Sequence, residues 1–204
     1  MGQRSQIYIR YNGDLKVANY YQWCYGERLV SRARSIIEKS IDKYIEYEFY
    51  DGKMKRYCDV NFDMRDIVIS RDIFNWYKEA LEINKDTSSS LLFEEDNNDG
   101  KLFIDITQKC GKNPKIKYCF VDNYPSDRPL DAEAYMNWNM RYNYRIKHWE
   151  KYLVCGKEAK KDIVRYTRNN IKYIRENATL MTYEELQDFI NAEYDENGKQ
   201  IKPF

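Results

Sequence analysis

The chain has 204 residues, and its 34 basic and 33 acidic side chains leave a formal net charge of only +1. That balance excludes an acidic mimic of DNA and a uniformly basic wrapper of nucleic acid, so any electrostatic role must be local. Apolar residues at 43% and charged residues at 33% mark a globular chain, neither disordered nor membrane-embedded.

Residues 5 to 11 alternate Ile7 and Ile9 against Tyr8 and Arg10, and Asn12-Gly13 supplies a two-residue turn that tolerates positive φ at both positions. A β-hairpin with a return strand over 15 to 22 is predicted. From Gly26 onward Leu29, Ala33, Ile36, Ile37, Ile41, Tyr44 and Ile45 recur at helical spacing, with Arg28, Arg32, Lys39 and Lys43 on another face. This predicts a long amphipathic helix packed on the hairpin, ended by Asp51-Gly52.

Residues 58 to 69 read as extended or irregular, and Ile73, Phe74, Tyr77, Ala80 and Leu81 form the stripe of a shorter helix over 71 to 84. The segments LLFEED and KLFIDI flank Asn97-Asn98-Asp99-Gly100 and predict a second hairpin, which IKYCFV at 116 to 121 extends into a meander. The loop imitates a calcium loop, yet Ile106 stands where a bidentate Glu is required. Residues 123 to 129 read as a loop.

The last third reads as helical. Asp131 is a predicted N-cap for an aromatic helix through Tyr142, Ile146, Trp149 and Leu153; Gly156 interrupts it, and a helix resumes over 157 to 176. Thr182 with Glu185 forms a capping box for a final short helix to about Ala192, and 196 to 204 reads as a loose tail. The expected fold class is α+β: an N-terminal β-hairpin plus long helix, a central antiparallel meander and a helical C-terminal third. Residues 1 to 195 form one expected domain, with a point of subdivision near 123 to 130.

Enzyme signatures are missing from the sequence. It has no GxSxG elbow, no phosphate-binding glycine loop and no HExxH, and its single histidine, His148, beside Ile146 and Trp149, reads as structural. Cys24, Cys58, Cys110, Cys119 and Cys155 include no close pair and are odd in number, which fits reduced thiols in a cytoplasm and not a zinc module. Asp59, Asp63 and Asp66 lie close in sequence without a ligand spacing, so a metal-dependent nuclease is a third reading without support. No cofactor, metal site or membrane association is expected.

Charge does cluster locally. Residues 141 to 175 hold eleven basic residues against three acidic ones, a local excess of +8. Lys157, Lys161, Arg165, Arg168, Lys172 and Arg175 step by four, four, three, four and three, so a helix aligns them on one face. Such a ridge can meet phosphates or an acidic protein surface, or be an ordinary solvated face balanced by acidic neighbours. The acidic final helix, with Glu184, Glu185 and Asp188, is one candidate for that balance. A second cluster is Arg4, Ser5, Trp23, Tyr25 and Glu27, read either as a polar-aromatic surface pocket or as a Trp23 staple with an Arg4–Glu27 pair. Twenty tyrosines, large in contact area and cheap in entropy, suit recognition surfaces or a wet core.

The opening MGQRSQIYIRYNG, continued by NYYQWCYGERLVSRAR, resembles the starts of small proteins carried by phages and mobile elements of Gram-positive bacteria. The likeness is clearest over about the first 45 residues and extends more weakly to NNDGKLFIDI and LDAEAYMNW. It carries over no catalytic residue. It implies an accessory gene product of a bacterial cytoplasm, acting as a stoichiometric inhibitor of a host defence protein or ribonucleoprotein in the manner of anti-CRISPR proteins. The alternative is a nucleic-acid-binding accessory protein that uses the basic helix.

Overall fold

The computed structural model describes residues 4–22, 26–41, 46–50, 53–57, 100–109, 113–122, 128–145, 147–151, 157–195 and 198–202. Strands β1 (Arg4–Tyr11) and β2 (Asp14–Gln22) form the expected antiparallel hairpin. Asn12 and Gly13 close it with φ of 50° and 93°, as the twist of a tight hairpin demands. Helix α1 (Glu27–Ile41) follows, burying Leu29, Val30, Ala33 and Ile37 and exposing Arg28 and Arg32.

Helical spacing in the sequence ran on to Ile45, but Glu46–Tyr50 (β3) and Lys53–Tyr57 (β4) pair antiparallel as a separate two-stranded sheet. Their Tyr- and Phe-containing run before Asp51-Gly52 is the hairpin signal that the helical pattern concealed. The expected helix over 71 to 84 and the carboxylates Asp59, Asp63 and Asp66 lie outside the described residues.

β5 (Lys101–Thr107) and β6 (Lys115–Val121) supply the antiparallel centre. The other side of β5 is taken by β1, in parallel, with Ile7 beside Leu102 and Ile9 beside Ile104. Both edges of β5 are therefore filled; the strand expected over LLFEED falls on a segment outside the described residues.

Helix α2 (Ala132–Tyr144) begins at the expected cap, where the Asp131 side chain accepts from the Ala134 N–H at 2.7 Å. It stops earlier than expected: Arg145 turns left-handed (φ 55°) and its N–H caps the Arg141 and Met140 carbonyls. Trp149 thus sits in a separate 3-10 turn, Trp149–Lys151, and not on the aromatic helix. Helix α3 (Lys157–Asn177) leads to β7 (Thr179–Leu180), which pairs with β6, and helix α4 (Tyr183–Asn191) starts at the Thr182–Glu185 capping box.

The main sheet has the order β2-β1-β5-β6-β7 and is covered on both faces. Because side chains alternate along a strand, Ile7, Ile9, Leu102 and Ile104 meet α1, α2 and α3, whereas Tyr8, Phe103 and Cys119 meet Met181, Leu186 and Phe189 beneath α4. Covering both faces explains why Arg10, polar in the hairpin pattern, is buried. Its guanidinium bonds Asp105 at 2.7 Å, pairs with Asp188 at 2.9 Å and lies 4.7 Å over the Phe189 ring.

Within the segment expected to be a loose tail, residues 198–202 are docked. β8 (Glu193–Tyr194) pairs with β9 (Gln200–Lys202), and the Leu15 N–H donates to the Gly198 carbonyl at 2.6 Å. The Gln200 side chain lies against Gly13, where a Cβ would approach its Oε1 to 2.7 Å. No helix among the described residues is long and apolar enough to cross a membrane.

Candidate binding face on the third helix

Helix α3 is amphipathic by its own sequence. Thr167, Asn170, Ile171 and Ile174 are buried, while Lys161, Arg165, Arg168, Lys172 and Arg175 are exposed on the side away from the sheet. The predicted ridge therefore exists over 161 to 175; Lys157 opens the helix, and its side chain is outside the described residues.

Each cation from Arg165 to Arg175 has a carboxylate beside it. Arg165 bonds Asp162 at 2.8 Å, and Lys172 approaches Glu176 at 3.8 Å, both within the helix. Arg168 reaches Glu150 of the 3-10 turn at 3.2 Å. Arg175 reaches Asp131 at 2.6 Å and Glu133 at 2.9 Å, at the start of α2. Asp131 thus serves twice, one oxygen capping α2 and the other holding Arg175, and this hydrogen bond chiefly raises the Arg175 pKa. Lys161 stands in no ion pair among the described residues.

The acids that balance the ridge are not those of the last helix. Glu185 pairs with Lys117 and Asp188 with Arg10, on the opposite face of the sheet. The balancing pairs at Asp162 and Glu176 were readable as i,i+3 and i,i+4 spacings. Glu150, Glu133 and Asp131 were not, because only the packing of α2 and the 3-10 turn against α3 brings them there.

On its other flank α3 packs against α1 through polar contacts. Tyr166, 52% exposed, shares a hydrogen bond of 3.0 Å with Ser31, and Arg34 donates to Asn170 at 3.0 Å while lying 5.0 Å over the Tyr173 ring. Two grooves follow the ridge and meet at Arg168. One, of about 500 Å³, is lined by Glu150, Lys161, Val164, Arg165 and Asn169 as well. The other, of about 430 Å³, has Trp149 and Ile171 in its wall, with Glu133, Lys172, Arg175 and Glu176 around them.

Of the second predicted cluster, only the Ser5 and Glu27 side chains are among the described residues. Ser5 is fully buried, since β1 has neighbours on both edges and covers on both faces. Glu27 opens α1 and is half-buried, and this burial pushes its carboxyl pKa up. The adjoining Gly26 N–H donates to the Tyr135 hydroxyl at 3.1 Å, tying the start of α1 to α2. Trp23, Tyr25 and the Arg4 side chain lie outside the described residues, and with them the expected Arg4–Glu27 pair. His148 is exposed, and no group of three or more metal-ligating side chains occurs among the described residues. Comparison with protein-family models, with curated proteins and with solved structures gave no match.

Proposed function

We propose that this protein acts by binding a protein partner stoichiometrically, as an inhibitor or regulator, with the outer face of α3 and its grooves as the contact surface. The observation that carries this reading is the charge pairing of the ridge: Arg165, Arg168, Lys172 and Arg175 each have a carboxylate within 4 Å. A track for phosphates gains affinity from unopposed positive charge and counterion release. A face of alternating charge instead suits protein recognition, where complementarity sets register and partner choice. The resemblance of the first 45 residues to mobile-element proteins directs the choice of partner to a component of a bacterial defence system, in its specific form a nuclease or its ribonucleoprotein.

The test is affinity capture from a bacterial lysate, with and without added nuclease, using the parent chain and a variant with Lys161, Arg165 and Arg168 all changed to Glu. The expected result is a protein that survives nuclease treatment, is lost with the folded variant, and has its activity titrated out at equimolar ratio. Capture that vanishes on nuclease treatment, or that is identical for parent and variant, overturns the reading.

A further inference from the structure

We propose that Asn12 is a site of hydrolytic modification: its side-chain amide is lost by way of a cyclic imide with Gly13, and opening of the β1–β2 turn sets the rate. Water is the only co-reactant.

The reactants are adjacent in the chain. Asn12 is exposed, and the nitrogen of Gly13 has no side chain of its own to hinder its approach. Once deprotonated, that nitrogen attacks Asn12 Cγ. The N–Cγ bond forms, the Cγ–Nδ2 bond breaks, and Nδ2 takes up the proton and leaves as ammonia. Water then opens the imide at either carbonyl. One opening gives aspartate; the other gives isoaspartate, in which the main chain runs through the former side chain and is longer by a carbon.

The fold holds the reacting atoms apart. With φ of 50°, Asn12 belongs to the left-handed region, where ψ is about +30 to +60°. At such ψ the Gly13 nitrogen lies nearly opposite Cβ across the Cα–C bond, whereas closing the imide ring needs the two nearly eclipsed. The rotation between these positions does not fit within the turn, because Tyr11 and Asp14 on either side of it are paired. β5 and its continuation hold the same residue twice more. The Asn12 N–H donates to the Ile106 carbonyl at 2.8 Å, and Asn12 Oδ1 accepts from the Gln108 N–H at 2.8 Å. Ring closure therefore waits for the turn to open, with the end of β5 as its clip.

The two products then diverge. Aspartate suits the same turn and keeps an oxygen for the Gln108 N–H. Isoaspartate lengthens a two-residue loop whose size the strand pairing dictates, so the turn cannot reclose as before. Gly13 and Asp14 also seat the C-terminal segment: the Gln200 side chain lies against Gly13, and the Gln200 N–H donates to Asp14 at 3.2 Å. Isoaspartate at position 12 thus loosens residues 198–202 as well.

The experiment incubates the full chain in mildly alkaline buffer, native and in denaturing urea. Peptide mapping by mass spectrometry separates Asn12 from the other Asn-Gly, at 197–198. Native Asn12 is expected to react at least about tenfold more slowly than in the unfolded chain, which corresponds to about 1.4 kcal/mol of opening free energy. Gln108→Pro lacks the N–H and is expected to react about fivefold faster than the parent, the factor for losing one hydrogen bond. Gln108→Ala keeps the N–H and is expected to match the parent. In the isoaspartyl fraction, the Leu15 and Gln200 amides are expected to exchange hydrogen faster than in unreacted protein. Equal native and unfolded rates, no product at Asn12 in either state, a folded Gln108→Pro no faster than Gln108→Ala, or unchanged exchange in the isoaspartyl fraction overturns the proposal. If Gln108→Pro does not fold, the ratio of native to unfolded rates decides.

Discussion

Replacing Arg10 by Met tests whether one buried cation fastens the last helix to the sheet. The Arg10 side chain is 8% exposed and joins Asp105 of β5 to Asp188 of α4. Burial alone would lower its pKa, but the hydrogen bond and charge of Asp105 more than offset that, so the guanidinium titrates above its usual range. Removing one partner of a buried pair costs about 3–5 kcal/mol, because the other charge is left uncompensated. Asp105 at 17% and Asp188 at 39% exposure keep part of their hydration, which places the loss near the lower end, about 3 kcal/mol. Loss of the contact with Phe189 adds about 0.5–1 kcal/mol. A chain of this size then melts roughly 7–16 °C lower. Urea unfolding followed by circular dichroism, with a thermal melt, measures both. The double variant Arg10→Met with Asp105→Leu leaves no orphan carboxylate at β5 and is expected to regain all but about 1 kcal/mol. A single variant within about 1 kcal/mol of the parent, or a double variant less stable than the single, refutes the reasoning.

Three further outcomes are expected. Thr182→Ala removes the acceptor for the Glu185 N–H and lowers stability by about 1 kcal/mol, with hydrogen exchange accelerating first in α4. Lys117 holds the Glu185 carboxyl below its ordinary pKa, so the pair's contribution is complete above the unfolded value and is lost as pH falls through the folded one. Parent and Glu185→Gln therefore converge in urea midpoint as pH drops below about 4, the difference at neutral pH staying under about 1 kcal/mol because both partners are partly exposed. Burial pushes the Cys119 thiol far up, and its Sγ lies 3.7 Å from Met181 Sδ, so mass spectrometry after alkylation should find the Cys119 peptide unmodified until the chain unfolds.

Local patterns in the sequence carried the hairpin at Asn12-Gly13, the amphipathic α1 and α3, the Asp131 cap and the Thr182 box, since each depends on neighbours within four residues. What escaped depends on distant contacts. The parallel pairing of β1 with β5 joins residues about a hundred positions apart and leaves no periodic trace. Arg10 reads as a solvent-facing strand residue until α4 covers it, and the tail reads as loose until Asp14 and Leu15 receive it. The ridge was legible as a row of cations along one helix face. Its meaning was not, because Glu150, Glu133 and Asp131 reach it only through the packing of three elements.

The parallel seam between β1 and β5 also sets a timetable for synthesis. β1 leaves the ribosome well before β5, so its inner edge cannot close until residue 107 has emerged. At translation rates of about 5–20 residues per second, that edge stands open for roughly 5–20 seconds. An unpaired strand edge is a template for association with other chains, so the nascent β1–β2 hairpin needs shielding until β5 has been made.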